Sequence, residues 1–232
     1  MCEIALRCKS FESIPVGALL AAPLKIMAKS PSASRRRSLR LRGFDYSQEG
    51  AYFVTICTRG RECLFGVVMD GEVCLNDVGR VVQTVWRGLS ERFPKIELDA
   101  FVVMPNHLHG ILVMVGAGLA LPVKGAASSA PTGSALITVG SVLRAFKSMS
   151  AISVNRLLKR SGQPLWQRNY YEHVIRSEES LNRIREYIAT NPLRWELDRE
   201  NQARTGEDEF DRWLATFKAR PDKAEKPAKL ST

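Results

Sequence analysis

The sequence predicts an α+β fold in which a ferredoxin-like βαββαβ unit forms an antiparallel sheet with helices on one side. Strand-like and helix-like segments alternate along the chain in that order. Two of the strand-like segments are joined by a short turn, which is typical of antiparallel neighbours. A length of 232 residues, with 45% hydrophobic and 25% charged residues, suits one well-filled globular domain with appendages.

The composition divides the chain into one domain and its appendages. Residues 1–34 are expected to be a poorly ordered extension, and residues 35–200 to be the folded domain. Within that domain, Gly116 to Ser134 is rich in Gly, Ala, Ser and Pro, so a loop insert is predicted at residues 116–135. Residues 201–232 are expected to form a C-terminal helix and a basic tail.

The first predicted elements are a strand, a hairpin and a helix. β-Branched and aromatic residues from Ala51 to Thr58 indicate a strand. Two further strand-like runs flank Asp70-Gly71, a sequence typical of a tight hairpin turn. Asn76 or Asp77 can cap the helix that follows, because apolar residues then recur at helical spacing.

The second half of the unit begins with a strand pair. Leu98 to Met104 and His107 to Val115 are strand-like, and Pro105-Asn106 between them suits a turn. A basic amphipathic helix is predicted from Val139 to about Lys159, and a short strand from Asn169 to Arg176. A further helix is capped by Ser177 and ended by Pro192, and a C-terminal helix is predicted from Glu207 to Phe217.

Two of the three histidines, His107 and His109, open the second strand of the pair. In an extended backbone, residues two apart lie on the same face about 6–7 Å from each other, so both imidazoles can bind one cation. Such a pair is compatible with several divalent ions. A lone His-x-His motif also arises by chance. The preceding turn, the scarcity of histidine elsewhere and the basic charge favour a metal site that polarises a phosphate oxygen.

A candidate nucleophile lies on the helix capped by Ser177. Tyr187 and Asn191 are four residues apart, so the phenol and the amide oxygen share one helix face. The alternative is a half-buried helix aromatic and a helix C-terminal cap, and spacing alone favours that alternative. Tyr170 and Tyr171 are rival nucleophiles, but neither has a ligand-type residue four positions further on.

The basic residues predict a polyanionic partner. The net charge is +10, and Lys29 to Arg42 and Ser141 to Arg168 each contain six basic residues and no acid. Basic blocks are often only solvated surfaces, but two acid-free blocks favour nucleic acid. The side chains expected to contact DNA are Arg35, Arg36, Arg37, Arg40, Arg42, Arg144 and Lys147.

Cysteine usage and hydropathy bear on the location of the protein. The five cysteines are odd in number and show no Cys-x-x-Cys spacing, which is not the pattern of a disulfide framework or a zinc ribbon. The sequence contains no uninterrupted apolar run of the ~20 residues that a membrane span needs. A cytoplasmic protein without a membrane partner is therefore expected.

Several separate motifs resemble the REP-associated tyrosine transposases, single-tyrosine members of the HUH transposase superfamily, which includes the IS200-like transposases. The match runs from about Arg35 to Trp195, in the order of the family's motifs. The segments that carry the resemblance are RRRSLRLRGFDYSQEGAYFVTICTRGRECLFG, FVVMPNHLHGILVMV, LWQRNYYEHVIR and LNRIREYIATNP.

The resemblance implies the HUH endonuclease fold and a specific chemistry. In that family the histidine pair binds Mg²⁺ or Mn²⁺, which implies His107 and His109. Tyr187 to Asn191 matches the family's Tyr-Ile-x-x-Asn motif, so Tyr187 is implied as nucleophile and Asn191 as third metal ligand. The resemblance further implies binding of hairpin-forming repetitive extragenic palindromes. A monomer and a homodimer are both compatible with the sequence. Cleavage of adjacent single-stranded DNA would leave a 5′-phosphotyrosine and a free 3′-hydroxyl.

Two other functions are compatible with the sequence. The chain could be a domesticated protein that binds the same repeats without cutting them, although it retains all four implied site residues. It could also hydrolyse phosphoesters with water and a metal, which needs no tyrosine. A covalent protein–DNA adduct distinguishes the transposase from both alternatives.

Overall fold

The computed structural model describes residues 48–115 and 137–218. The strands are β1 Gly50–Cys57, β2 Gly66–Met69, β3 Glu72–Leu75, β4 Ile96–Met104, β5 His107–Met114 and β6 Tyr171–Ile175. The helices are α1 Asp77–Arg87, α2 Leu89–Arg92, α3 Val139–Leu157, α4 Glu178–Thr190 and α5 Glu209–Lys218, with 3-10 turns at Arg59–Arg61 and Asn191–Arg194. The predicted extension, loop insert and basic tail, and the arginines from Arg35 to Arg42, lie outside the described residues.

Four strands form an antiparallel sheet in the order β4-β5-β1-β6. β1 therefore lies at the centre, although it comes first in the sequence. Helix α1 connects β1 to β4 by way of the β2–β3 hairpin, and α3 connects β5 to β6. This is the ferredoxin-like βαββαβ arrangement, so the predicted fold class is confirmed.

The two crossover helices pack together on one face of the sheet. Trp86 of α1 and Phe146 of α3 meet edge to face with ring centroids 5.1 Å apart. They share a core with Tyr52, Val54 and Ile56 of β1. Because side chains alternate across a strand, these three residues point to the same side of β1. The two connecting helices thus lie on one side, as predicted.

The opposite face of the sheet is covered by the helices that follow β6. Ala51 and Phe53 of β1 pack against Ile184 of α4 and Phe210 of α5. All eight residues of β1 and of β5 are buried, because both faces of these central strands are covered. This second layer brings α4 next to the face of β5 that carries the two histidines.

Local signals in the sequence place the turns and helix starts. Asp70 and Gly71 both adopt positive φ angles, 51° and 76°, as a type I′ hairpin turn requires. The Asn76 side chain accepts a hydrogen bond from the Gly79 amide at 3.0 Å and caps α1. Ser177 caps α4 in the same way, at 3.2 Å from the Ser180 amide. The predicted hairpin and both caps are confirmed.

A glycine allows α1 to approach the sheet closely. A Cβ atom at Gly110 of β5 would overlap the indole of Trp86. The histidine strand is therefore packed tightly on the side opposite the histidines. Within residues 48–115 and 137–218, no helix is long and apolar enough to cross a membrane.

Candidate active site

His107 and His109 lie side by side at the start of β5, on the face covered by α4. Their ring centroids are 4.4 Å apart, and both side chains are buried. In the β1–β5 register, His107 pairs with Cys57 and His109 with Thr55. The period of a strand thus brings the two imidazoles together as the sequence predicts.

Each histidine has a polar partner at Nδ1, and each Nε2 atom points towards the same region. His109 Nδ1 lies 2.9 Å from the Thr55 hydroxyl, and His107 Nδ1 lies 2.8 Å from Asn106 Oδ1. Burial, and then the neighbouring His109, lower the pKa of His107 to about 3. His107 is therefore neutral near pH 7, which is the form that binds metal ions.

Helix α4 places the predicted nucleophile against this pair. The Tyr187 hydroxyl lies 3.3 Å from His109 Nε2, and the phenol ring stacks on Phe210 of α5. Burial, and then Asp198, raise the pKa of Tyr187 well above its usual range. In this environment the phenol stays protonated, so ionisation needs a compensating positive charge.

Asn191 follows one helical turn after Tyr187 and is fully buried. Its Nδ2 atom donates a hydrogen bond to Asp198 Oδ2 at 2.8 Å. Its Oδ1 atom is buried and has no hydrogen-bond partner among the described residues. The structure therefore brings Tyr187 and Asn191 to the site together, with the amide oxygen of Asn191 available to a ligand.

Asp198 is a site residue that the sequence reasoning missed. Its Oδ2 atom lies 3.6 Å from Nε2 of His107 and 3.6 Å from Nε2 of His109. The Tyr187 hydroxyl donates to the same oxygen at 3.4 Å. Burial acts to raise the pKa of Asp198, but the two imidazoles and the Asn191 amide hold it well below its usual range. An ionised carboxylate thus completes the cluster.

No sequence signal singles out Asp198. It lies in the irregular segment between the Asn191–Arg194 turn and α5, where neither helical nor strand periodicity applies. Its carboxylate is oriented locally, because Oδ1 accepts a hydrogen bond from the Glu200 amide at 2.6 Å. Trp195 in the same segment stacks on His107, with centroids 6.1 Å apart. The segment reaches the site through tertiary packing.

The donor set fits a divalent cation. Ligand atoms of His107, His109 and Asp198 lie within 4.8 Å of one another. The buried Nε2 of His107, like Oδ1 of Asn191, has no hydrogen-bond partner among the described residues. Buried polar atoms are normally satisfied, so two unsatisfied atoms beside an ionised carboxylate are well explained by a bound ion. Imidazole nitrogen together with carboxylate and amide oxygen suits Mn²⁺ and is compatible with Mg²⁺.

The two rival tyrosines lie elsewhere. Tyr170 packs against the core on the opposite face of the sheet. Tyr171 is on the histidine face, but Arg199 lies over its ring at 5.0 Å, and its ring is an edge-on neighbour of Phe53. Burial raises the pKa of Tyr171 to about 12. Of the three tyrosines, the structure brings Tyr187 to the histidine pair.

Two of the predicted DNA contacts lie within the described residues, on helix α3. Arg144 is exposed. Lys147 is half-buried, and its Nζ donates to the main-chain oxygens of Gln167 and Arg168, the latter at 3.1 Å. Because α3 packs on the face opposite the histidines, a DNA contact at Arg144 would be separate from the metal cluster.

An open groove of about 520 Å³ reaches the candidate nucleophile from the surface. Tyr187 and Phe210 both line it. Charged side chains of α4 and its surroundings complete the lining, among them Glu179, Arg183, Glu186, Arg194 and Glu209. The groove provides a route by which a substrate can approach α4.

Comparisons with known proteins identify a relative by sequence. No protein-family model matches the chain. A protein of Haemophilus influenzae (strain ATCC 51907 / DSM 11121 / KW20 / Rd), described only as uncharacterized, is 42% identical over 168 residues. The matched part is 70% of this chain and 91% of that protein.

Two solved structures are similar to the chain at lower identity. One is a REP-associated tyrosine transposase bound to a REP hairpin. It is 18% identical with a TM-score of 0.43, and the match covers 86% of this chain and 96% of the other. The second is a protein of Deinococcus radiodurans R1 provisionally named a transposase. It is 20% identical with a TM-score of 0.38, and the match covers 65% of this chain and 95% of the other.

Proposed function

We propose that this chain, which belongs to one family with the uncharacterized Haemophilus influenzae protein, is a metal-dependent single-strand DNA endonuclease and transposase. The observation that carries the proposal is the meeting of four residues from β5, α4 and the turn after α4 in one buried cluster. Those residues are His107, His109, Tyr187 and Asn191. A packing role alone would not require a phenol, an amide and two imidazoles at one point.

The cation would be held by His107, His109 and Asp198, with Oδ1 of Asn191 as a further ligand. When bound, Mg²⁺ or Mn²⁺ would polarise a phosphate oxygen and offset the negative charge of the reacting groups. The chain itself supplies the pre-arranged donors and excludes water, because all four side chains are buried. Asp198 contributes a formal negative charge, which an imidazole ligand does not supply.

Tyr187 would act as the nucleophile in a transesterification. Its hydroxyl oxygen forms a bond to phosphorus, and the bond between phosphorus and the 3′ oxygen of the DNA breaks. The proton that the phenol loses is balanced by the proton that the released 3′-hydroxyl gains. The 5′-phosphate stays on Tyr187, and a second strand's 3′-hydroxyl can reverse the step and join to it.

The partner proposed is single-stranded DNA next to a hairpin-forming palindromic repeat. A net charge of +10 supports a polyanionic partner. The predicted contacts are Arg35, Arg36, Arg37, Arg40 and Arg42, with Arg144 on the exposed side of α3. Lys147 is proposed as a weaker contact, because three main-chain oxygens surround its ammonium group. A cytoplasmic setting and a monomer or homodimer complete the proposal.

The test is a covalent-adduct assay on the full chain. The protein is incubated with an end-labelled single-stranded oligonucleotide that carries a palindromic hairpin and flanking DNA, with Mn²⁺, Mg²⁺ or a chelator. A denaturing gel should show a cut strand with a free 3′-hydroxyl and a protein-linked fragment, only with metal. Cut DNA without adduct would favour hydrolysis by water, and binding without cutting would favour the domesticated DNA-binding protein.

A further inference from the structure

We infer that Asn106 is a positioning residue that fixes the tautomer of His107, so that Nε2 presents its lone pair to the cation. This inference rests on the metal site of the proposed function and assigns a role to a residue outside the ligand set. Asn106 belongs to the turn between β4 and β5 and is 1% exposed. In the sequence it suits a turn, but the structure gives its side chain three polar contacts.

The orientation of the Asn106 amide is determined by main-chain acceptors. Its Nδ2 donates to the carbonyl oxygen of Glu200 at 2.8 Å and to that of Arg61 at 3.2 Å. A carbonyl oxygen only accepts hydrogen bonds, so the NH₂ end must face these two groups. Rotating the amide by 180° would place oxygen against two oxygens. Oδ1 therefore faces His107.

This orientation determines where the proton of His107 lies. Asn106 Oδ1 is 2.8 Å from His107 Nδ1 and can only accept. The imidazole must therefore donate from Nδ1, and in the neutral ring Nε2 then carries no proton. That Nε2 atom is the buried nitrogen without a hydrogen-bond partner among the described residues, 3.6 Å from Asp198 Oδ2. It faces the proposed cation position in the ligand form.

The second histidine lacks this constraint. His109 Nδ1 lies 2.9 Å from the Thr55 hydroxyl, which can either donate or accept. On the other side of the ring, Nε2 has Tyr187 and Asp198 within reach. Geometry alone thus permits both tautomers of His109. The two imidazoles of the motif differ, and the difference lies in their outer partners.

The acceptor that aligns Asn106 is itself held in place. The carboxylate of Glu200 accepts from the Cys57 thiol at 3.2 Å and pairs with Arg61 and Arg199, each at 2.9 Å. The main chain of Asn106 is fixed as well, because its oxygen accepts from the Thr58 amide at 2.8 Å. The side-chain amide of Asn106 is thus fixed by three segments: the end of β1, the β4–β5 turn and the segment after Asp198. Such outer partners commonly orient metal-binding histidines.

The test uses nitrogen NMR on the full chain, labelled with ¹⁵N-histidine and freed of metal with a chelator. The protein has three histidines, so His107→Gln and His109→Gln spectra assign the ring signals. We expect the His107 ring to show a protonated Nδ1 and a bare Nε2. A proton on Nε2 of His107 in the unsubstituted protein would overturn the inference without any further variant.

Two substitutions at Asn106 separate the tautomer from simple packing. Asn106→Ala removes the acceptor, so the proton should move to Nε2 and face Asp198. Asn106→Asp keeps an oxygen acceptor and should keep the proton on Nδ1, although the contacts to Arg61 and Glu200 are lost. The matched control, Thr55→Val, should leave the His107 signals unchanged. An unchanged His107 tautomer in Asn106→Ala would also overturn the inference.

Metal binding supplies the second measurement. Titration with Mn²⁺, followed by electron paramagnetic resonance of the free ion, should show affinity about 10–100-fold weaker in Asn106→Ala. Asn106→Asp should recover most of that loss. If the unsubstituted protein shows the expected tautomer but binds no Mn²⁺, the proposed function fails while the tautomer assignment stands. If the unsubstituted protein binds Mn²⁺ but His107 carries its proton on Nε2 in the metal-free state, the tautomer inference fails and the proposed function stands.

Discussion

Tyr187 and Phe210 lie face to face, with ring centroids 3.7 Å apart and ring planes 9° from parallel. The phenol is thus held by its face, and its hydroxyl lies 3.3 Å from His109 Nε2. Among the described residues, the Tyr187 hydroxyl makes no hydrogen bond to the main chain, so ring stacking rather than the hydroxyl orients the phenol. Removing that oxygen should therefore leave the packing intact.

The first prediction concerns Tyr187→Phe. The phenylalanine ring fills the same volume and stacks on Phe210, so stability should fall by only about 1 kcal/mol, the value of one hydrogen bond. Mn²⁺ and hairpin DNA should still bind, but no covalent adduct should form. Thermal unfolding, gel shift and the adduct assay measure these three properties on the same preparation.

Tyr171→Phe is the matched control for that variant. It removes a hydroxyl from β6, on the same side of the sheet but not on α4, and should still yield adduct. Mass spectrometry of the trapped species should place DNA on the peptide that contains Tyr187. DNA on the peptide that contains Tyr170 and Tyr171 would show that the nucleophile has been assigned to the wrong helix.

The second prediction separates cutting from binding. His107→Ala and His109→Ala each remove an imidazole from the buried pair, so cleavage should be lost. Affinity for the hairpin should stay within a few-fold, because it should come mainly from phosphate contacts outside the cluster. Cleavage and fluorescence anisotropy are measured at the same salt concentration. An equal loss of binding in both variants would contradict the separation.

The third prediction concerns Asp198, a proposed metal ligand that no sequence motif indicates. Asp198→Asn keeps the shape and removes the charge, so Mn²⁺ affinity should fall about tenfold or more, at least as much as for loss of an outer partner. Glu186→Gln is the control, because Glu186 is an exposed acid beside Tyr187 on α4. Calorimetric titration compares the two. Equal Mn²⁺ affinity in Asp198→Asn and the unsubstituted protein would exclude a direct bond.

The fourth prediction concerns the arginine-rich run from Arg35 to Arg42. Replacing its five arginines with glutamine should weaken hairpin binding and flatten the dependence of log affinity on log salt. Each arginine that contacts a phosphate should contribute about 1 to that slope. The measurement is a set of binding curves from low to physiological salt. A slope identical to that of the unsubstituted chain would mean that the run is only solvated.

The fifth prediction concerns the packing behind the histidine strand. Gly110→Ala introduces a methyl group where the Trp86 indole lies, and should destabilise the protein by about 1–3 kcal/mol through overpacking. Gly88→Ala is the control, because a Cβ there meets only ordinary van der Waals contacts. Denaturant unfolding measures both. Equal stability of the two variants would show that α1 can shift away from the sheet at little cost.

Most of the fold follows from signals that are local in the chain. The Asp70-Gly71 turn and the Asn76 and Ser177 caps depend on residues only a few positions away, so they could be predicted. The order of elements then leaves few ways to build an antiparallel sheet. The side of the sheet that α4 and α5 cover is not encoded locally. It depends on which face of the sheet the apolar sides of α4 and α5 contact once β6 has paired with β1.

The same distinction divides the candidate site. His107 with His109, and Tyr187 with Asn191, are close in sequence and share a face through strand and helix periods, so spacing identifies them. Asp198 sits in an irregular segment, and its position depends on contacts with His107 of β5 and Tyr187 of α4. The sequence also indicates that Asn106 is a turn residue, but its contact with Glu200 depends on the fold and leaves no local signal.

The central place of β1 has a consequence for the time at which the protein matures. β1 pairs with both β5 and β6, so the strand made first completes its pairing only after residue 175 has left the ribosome. Asp198 is made later still. At roughly 5–20 residues per second, on the order of ten seconds of translation separate β1 from Asp198. A nascent chain therefore lacks the assembled cluster of His107, His109 and Asp198, and the proposed cleavage would begin only after Asp198 has left the ribosome.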